Sequence, residues 1–128
     1  MANILLVEPD HVLAGNIKRV LNKKGHKLVW VVEAQAAITA ADKKQPDLII
    51  VDLMLAGRSG VEFLYELRSY PEWASLPVVV FSNLSPKEIS PFEPSLAQLN
   101  VQKIFYKATV SLAELTDQID QLAQPASV

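Results

Sequence analysis

The chain has 128 residues, half of them hydrophobic and 20% charged, with a formal net charge of −2. That balance fits one ordinary globular domain with a real core and leaves no basic footprint for nucleic acid or an anionic membrane. The absence of cysteine excludes a disulfide framework, thiol catalysis and a thiolate metal site, and His11 and His26 are too few and too far apart for zinc.

Short apolar runs alternate with helical periodicity along the chain. Met1-Ala2-Asn3 leads straight into Ile4-Leu5-Leu6-Val7, the first strand, which is not the pattern of a signal peptide. Asp10 can cap the helix that follows, where Leu13, Ile17, Val20 and Leu21 share one face. Gly25 is placed to stop it. Lys27 to Val32 reads as strand two, and Ala34 to Lys44 as an alanine-rich helix that Gln45-Pro46 breaks. Leu48 to Val51 is strand three. Gly57 to Gly60 reads as a loop; Val61, Leu64 and Leu67 then mark helix three, which Pro71 ends at the latest. Val78 to Phe81 is strand four and Val101 to Tyr106 strand five. Between them, Pro91 and Pro94 do not fit a helix interior, so helix four is expected to be short, over Ser95 to Leu99. Ser111-Leu112-Ala113-Glu114 fits a capping box, and Leu112, Leu115, Ile119 and Leu122 carry the last helix. The tail from Pro125 to Val128 is expected to fray. Five βα units with right-handed crossovers give an α/β fold: a parallel sheet with helices on both faces. No apolar run reaches the length of a membrane span, so the expected compartment is the cytoplasm.

The chemistry is expected at the carboxyl ends of the strands. Leu48 to Val51 is unbroken hydrophobe, as in a strand covered on both faces, and it ends at Asp52. In open α/β sheets that edge is where ligands bind. Three other strand-like runs end in Glu8, Ser82 and Lys107. Each alone could be a turn or surface residue. Acids, a hydroxyl and an amine converging on one edge make a chemical site.

The order of these residues resembles the receiver domain of two-component response regulators. The resemblance rests on Ile4-Leu5-Leu6-Val7-Glu8, on Val51-Asp52 through Gly60, on Pro77 through Ser82 and on Tyr106-Lys107. It implies a doubly wound, flavodoxin-like (βα)5 three-layer sandwich with sheet order 2-1-3-4-5, a receiver domain over residues 1–124 and a tail at 125–128. It further implies that Asp52 accepts a phosphoryl group from a sensor histidine kinase or a phosphotransfer protein. Ser82 and Lys107 would contact that group. Mg²⁺, a cation that suits oxygen ligands, would be held by Glu8, Asp52 and the backbone carbonyl of Met54. A domain of this kind is a signalling module and not an ordinary enzyme. No output domain follows the last helix in this sequence, so output is expected by docking to a downstream protein, with no nucleic-acid or membrane contact, from a monomer or weak dimer.

Several positions depart from the family pattern. Its second acid, the more important metal ligand, falls on Pro9, which has no side-chain oxygen. Asp10 could take over as ligand, but it also has the helix to cap, so weakened Mg²⁺ binding is the expectation. The usual prolines are replaced by Ala56 and Ala108. The aromatic switch position falls on Ile104; Phe105 and Tyr106 lie beside it, but strand residues alternate faces, so neither is expected to replace it directly. These departures keep a second reading in view, a pseudo-receiver that acts as a phosphorylation-independent interaction module. A flavodoxin-like cofactor binder is disfavoured, because Glu8-Pro9-Asp10 sets acids where a phosphate would sit. A hydrolase is disfavoured because His11 and His26 read as surface residues at a helix start and a strand start. Phe92, Trp73 and Tyr70 are expected to pack down as loop anchors.

Overall fold

The computed structural model describes residues 1–55 and 58–123. Strands β1 (Asn3–Val7), β2 (Lys27–Val31), β3 (Leu48–Val51), β6 (Val78–Ser82) and β7 (Val101–Tyr106) form one parallel sheet in the order β2-β1-β3-β6-β7. Two short strands, β4 (Met54–Leu55) and β5 (Arg58–Ser59), pair antiparallel in a ribbon that precedes helix α3 (Gly60–Ser69). They take two numbers in the chain, so the order is the expected 2-1-3-4-5 topology. The expected loop from Gly57 to Gly60 is corrected accordingly: Arg58 and Ser59 are paired, and Gly60 opens a helix. Ala56, Gly57 and the tail at 125–128 lie outside the described residues.

Helices cover both faces, which is why β3 is buried at every position. On one face α2 (Ala34–Lys43) and α3 pack Ala37, Phe63 and Leu64 against Leu5, Ile49, Val51 and Val80. On the other, α1 (His11–Lys23) and α6 (Leu112–Leu122) pack Ile17, Leu21, Leu115 and Ile119 against Ile4, Leu6 and Ile50. The ends of α1 follow their local chemistry: Asp10 accepts from the Leu13 amide at 3.0 Å, and Gly25 just past the helix has φ 91°.

The proline-rich stretch is helical in three pieces. These are α4 (Pro86–Ile89), a 3₁₀ turn (Ser90–Phe92) and α5 (Glu93–Gln98), and each has its proline at the first or second position. No proline therefore deletes an internal hydrogen bond. The expectation of Ser95–Leu99 alone was too short, because a Ser85–Glu88 capping box starts α4 at Pro86.

Other expectations are corrected by packing. His26 is buried, not a surface residue: its Nδ1 accepts from the Ala2 amide at 3.0 Å and its Nε2 meets Asp120 Oδ1 at 2.6 Å. Trp73 is the expected anchor, buried and edge-on to Tyr70, but Phe92 remains 42% exposed. Arg68 sends its guanidinium inward to the carbonyls of Leu99, Trp73 and Leu76, which ties α3 to two loops.

Candidate functional site

The sheet changes direction between β1 and β3: the chain runs from β1 outward to β2, then crosses back to β3. A crevice opens at the carboxyl ends of strands at such a switch point. The candidate residues stand at this edge because the sheet ladder carries on past the last strand residues. The Glu8 amide donates to Val31 O at 3.0 Å, that of Asp52 to Val7 O at 3.1 Å, and that of Lys107 to Ser82 O at 2.8 Å. Each functional side chain is thus fixed by the strand next to it.

Lys107 joins the acids. Its Nζ donates to Asp52 Oδ2 at 2.6 Å and to Glu8 Oε2 at 2.9 Å, and it sits 5.1 Å from the centre of the Phe81 ring. All three side chains are nearly removed from solvent. Burial pushes the Glu8 carboxyl above its usual range, against the hydrogen bonds from Lys107 and the Asp10 amide. Burial alone would lower the Lys107 ammonium, but the hydrogen bonds to Asp52 and Glu8 outweigh it and hold the group above its ordinary value.

Gly60 sets the position of Asp52. A Cβ there would overlap the Asp52 carbonyl oxygen and come within 2.7 Å of Leu53 Cα. The glycine lets the first turn of α3 press on the Asp52–Leu53 backbone, where the Gly60 amide donates to Leu53 O at 2.8 Å. Asp52 Oδ1 in turn accepts from the Met54 amide at 2.9 Å. Ser82 is buried with Oγ accepting from the Leu84 amide at 3.0 Å, which leaves its hydroxyl hydrogen for another acceptor.

One oxygen of this site lacks a hydrogen bond: Glu8 Oε1 is buried and lies 2.8 Å from Lys107 Nζ, but off the donor direction. Glu8 Oε1 and the Asp52 carboxylate, which share Lys107, are hard oxygen donors of the kind that Mg²⁺ takes. The set is sparse. Among the described residues no group of three or more His, Cys, Asp or Glu is placed to hold a metal, and Lys107 competes for both acids. Asp10 stays at the end of α1 as its cap.

Two features escaped the sequence reading. Trp30 Nε1 donates to the Glu8 carbonyl at 2.8 Å, with His11 edge-on to its ring at 4.8 Å, and so pins the turn that carries Pro9. The signal was a half-buried tryptophan near the end of a strand, whose N–H needs an acceptor. Tyr106, set aside by alternation, is two residues from Ile104 and therefore shares its face; both pack on the α2–α3 side while Phe105 packs on the other.

A family model described as the response regulator receiver domain matches residues 4–120. The chain belongs to this family. This receiver domain is 33% identical over 82 residues to the KDP operon transcriptional regulatory protein KdpE of Escherichia coli, which covers 64% of this chain and 35% of KdpE. It is 33% identical over 129 residues to the sensory/regulatory protein RpfC of Xanthomonas campestris, which covers 96% of this chain and 18% of RpfC. The chain thus spans about a third or less of the length of these relatives. Among solved structures, the chemotaxis response regulator CheY4 of Vibrio cholerae superposes with a TM-score of 0.83 at 18% identity, covering 95% of this chain and 98% of that one. The BeF3-activated receiver domain of Klebsiella pneumoniae RstA gives 0.80 at 24% identity, covering 96% and 99%. Both likenesses show the fold. Receiver domains are signalling domains that bind Mg²⁺ at an acidic site and interact with histidine kinases and downstream effectors. No helix among the described residues is long and apolar enough to cross a membrane.

Proposed function

We propose that Asp52 of this receiver domain accepts a phosphoryl group from a sensor histidine kinase or phosphotransfer protein, and that the phosphorylated domain signals by docking to a downstream protein in the cytoplasm. The observation that carries this reading is the Lys107 ammonium 2.6 Å from Asp52 Oδ2 at the β1/β3 switch point. An Asp52 oxygen attacks phosphorus as the bond to the donor histidine nitrogen breaks, giving an acyl phosphate. Lys107 then moves its charge from the carboxylate to the phosphoryl oxygens, a task suited to a flexible point charge. Ser82 donates its free hydroxyl hydrogen to another phosphoryl oxygen.

Glu8, Asp52 and the Met54 carbonyl would hold Mg²⁺, with water completing the shell; when bound, the ion supplies charge neutralisation to a reaction governed by positioning and electrostatics. Pro9 leaves this set one carboxylate short of the family pattern, so weak binding is part of the proposal. The intact Asp52, Ser82 and Lys107 weigh against a phosphorylation-independent module. An amide NMR titration with Mg²⁺ and then beryllofluoride, with Asp52→Asn as control, tests the reading. Saturable shifts at Asp52, Ser82 and Lys107 that vanish in the control are expected; silence at millimolar Mg²⁺ would overturn it.

A further inference from the structure

The far end of the molecule carries an unused surface. β2 is an edge strand, with β1 as its single neighbour in the sheet. The Lys27 amide and the Val31 carbonyl bond toward β1, so by alternation the main-chain groups of Leu28 and Trp30 face outward. Those outward groups have no main-chain partner among the described residues. The side chains of Leu28 and Trp30 pack into the α1–α6 core, which turns Val29 to the α2 face, where it is 54% exposed. Beside it runs a groove lined by Val29, Ala40, Pro46, Lys27, Lys43 and Lys44. None of these lysines forms a salt bridge among the described residues, whereas Lys24 and Lys107 do. Edge strands are commonly guarded by charge, yet here an exposed valine sits between the lysines and invites pairing.

We propose that this edge is a docking site for an extended protein segment whose every second residue, on the face it turns toward α2, is either apolar or acidic. The segment adds as a strand beside β2 through the outward groups of Leu28 and Trp30. From that one face its apolar side chains enter the groove against Val29, Ala40 and Pro46, and its carboxylates, two positions along, meet Lys27, Lys43 and Lys44. Charge selects the partner: three unpaired cations around an apolar groove favour an acidic segment over a basic one. The groove lies at the amino ends of β1 and β2, away from Asp52, so the proposal stands apart from the phosphoacceptor reading and can fail without it.

The test is titration of the labelled protein with a short peptide that carries valine and glutamate in turn on one strand face, with threonine between them (Val-Thr-Glu-Thr-Val-Thr-Glu), and with the counterpart in which lysine replaces glutamate. Amide shifts confined to Lys27–Val31 and Ala40–Lys44 are expected for the acidic peptide alone. Combining Lys27→Glu, Lys43→Glu and Lys44→Glu should weaken binding about tenfold, and Val29→Asp, at an exposed position, should abolish it with the fold intact by circular dichroism. Equal binding of both peptides, shifts centred on Asp52, or no shifts at millimolar peptide would overturn the proposal. So would self-association of the free protein through the same residues, or binding of octanoate where the peptide has no effect.

Discussion

Lys107 Nζ lies 2.6 Å from Asp52 Oδ2, across 55 residues of sequence, and the contact is almost fully buried. The same ammonium serves Glu8, so one cation balances two carboxylates inside the protein. Removing it strands both. Lys107→Ala should cost about 3–5 kcal/mol at neutral pH, the usual penalty for orphaning a buried charge. Adding Glu8→Gln should return part of that loss. Urea unfolding of the single and double variants checks this, and an unchanged midpoint for Lys107→Ala would refute it.

The pH dependence follows from the same pair. The folded-state pKa of Glu8 is raised above its ordinary 4.5, so its stabilising contribution is complete below 4.5 and is lost as pH rises through the higher folded value. That of Lys107 is raised above 10.5, so its contribution is complete below 10.5 and is lost as pH rises through the folded value. As pH rises above 4.5 the wild type should therefore lose stability relative to Glu8→Gln. The difference between their unfolding free energies measures this; a flat difference would contradict the raised Glu8 value.

Gly60→Ala should act on Asp52 through the backbone. The added methyl meets the main chain of Asp52 and Leu53, which cannot rotate away as a side chain could. A cost of about 1–3 kcal/mol is expected, as for other overpacked sites. The amide signals of Asp52 and Leu53 should shift with it. Unchanged stability, or a gain from the better helix former, would refute the backbone contact.

Pro9→Asp should strengthen Mg²⁺ binding. Pro9 is exposed and offers no ligand, and a carboxylate within about 4 Å of a cation is worth ~1–4 kcal/mol at near-surface dielectric. A gain of about tenfold or more is expected by amide shift titration. Equal affinities would mean that residue 9 does not reach the ion.

The sequence by itself determined the layers and the edge of the sheet at which the candidate residues stand. Continuous apolar runs such as Leu48–Val51 mark strands buried on both faces, and a polar residue directly after such a run falls at the edge of the sheet. That local rule set Glu8, Asp52 and Ser82 at the carboxyl edge of the sheet, and capping chemistry placed the starts of α1 and α6. Tertiary structure alone decided which distant groups meet. His26 resembles a surface histidine until Asp120, 94 residues later, arrives on α6 to take its second nitrogen. Trp30 holds the Glu8 carbonyl because β2 lies beside β1, and Arg68 reaches three carbonyls because α3 packs over two loops. The prolines of Pro86–Pro94 forbid one continuous helix, but short pieces form because Ile89 and Leu96 find the core. Periodicity and capping are properties of neighbours in the chain, whereas burial and hydrogen-bond satisfaction are settled by elements that fold together from far apart.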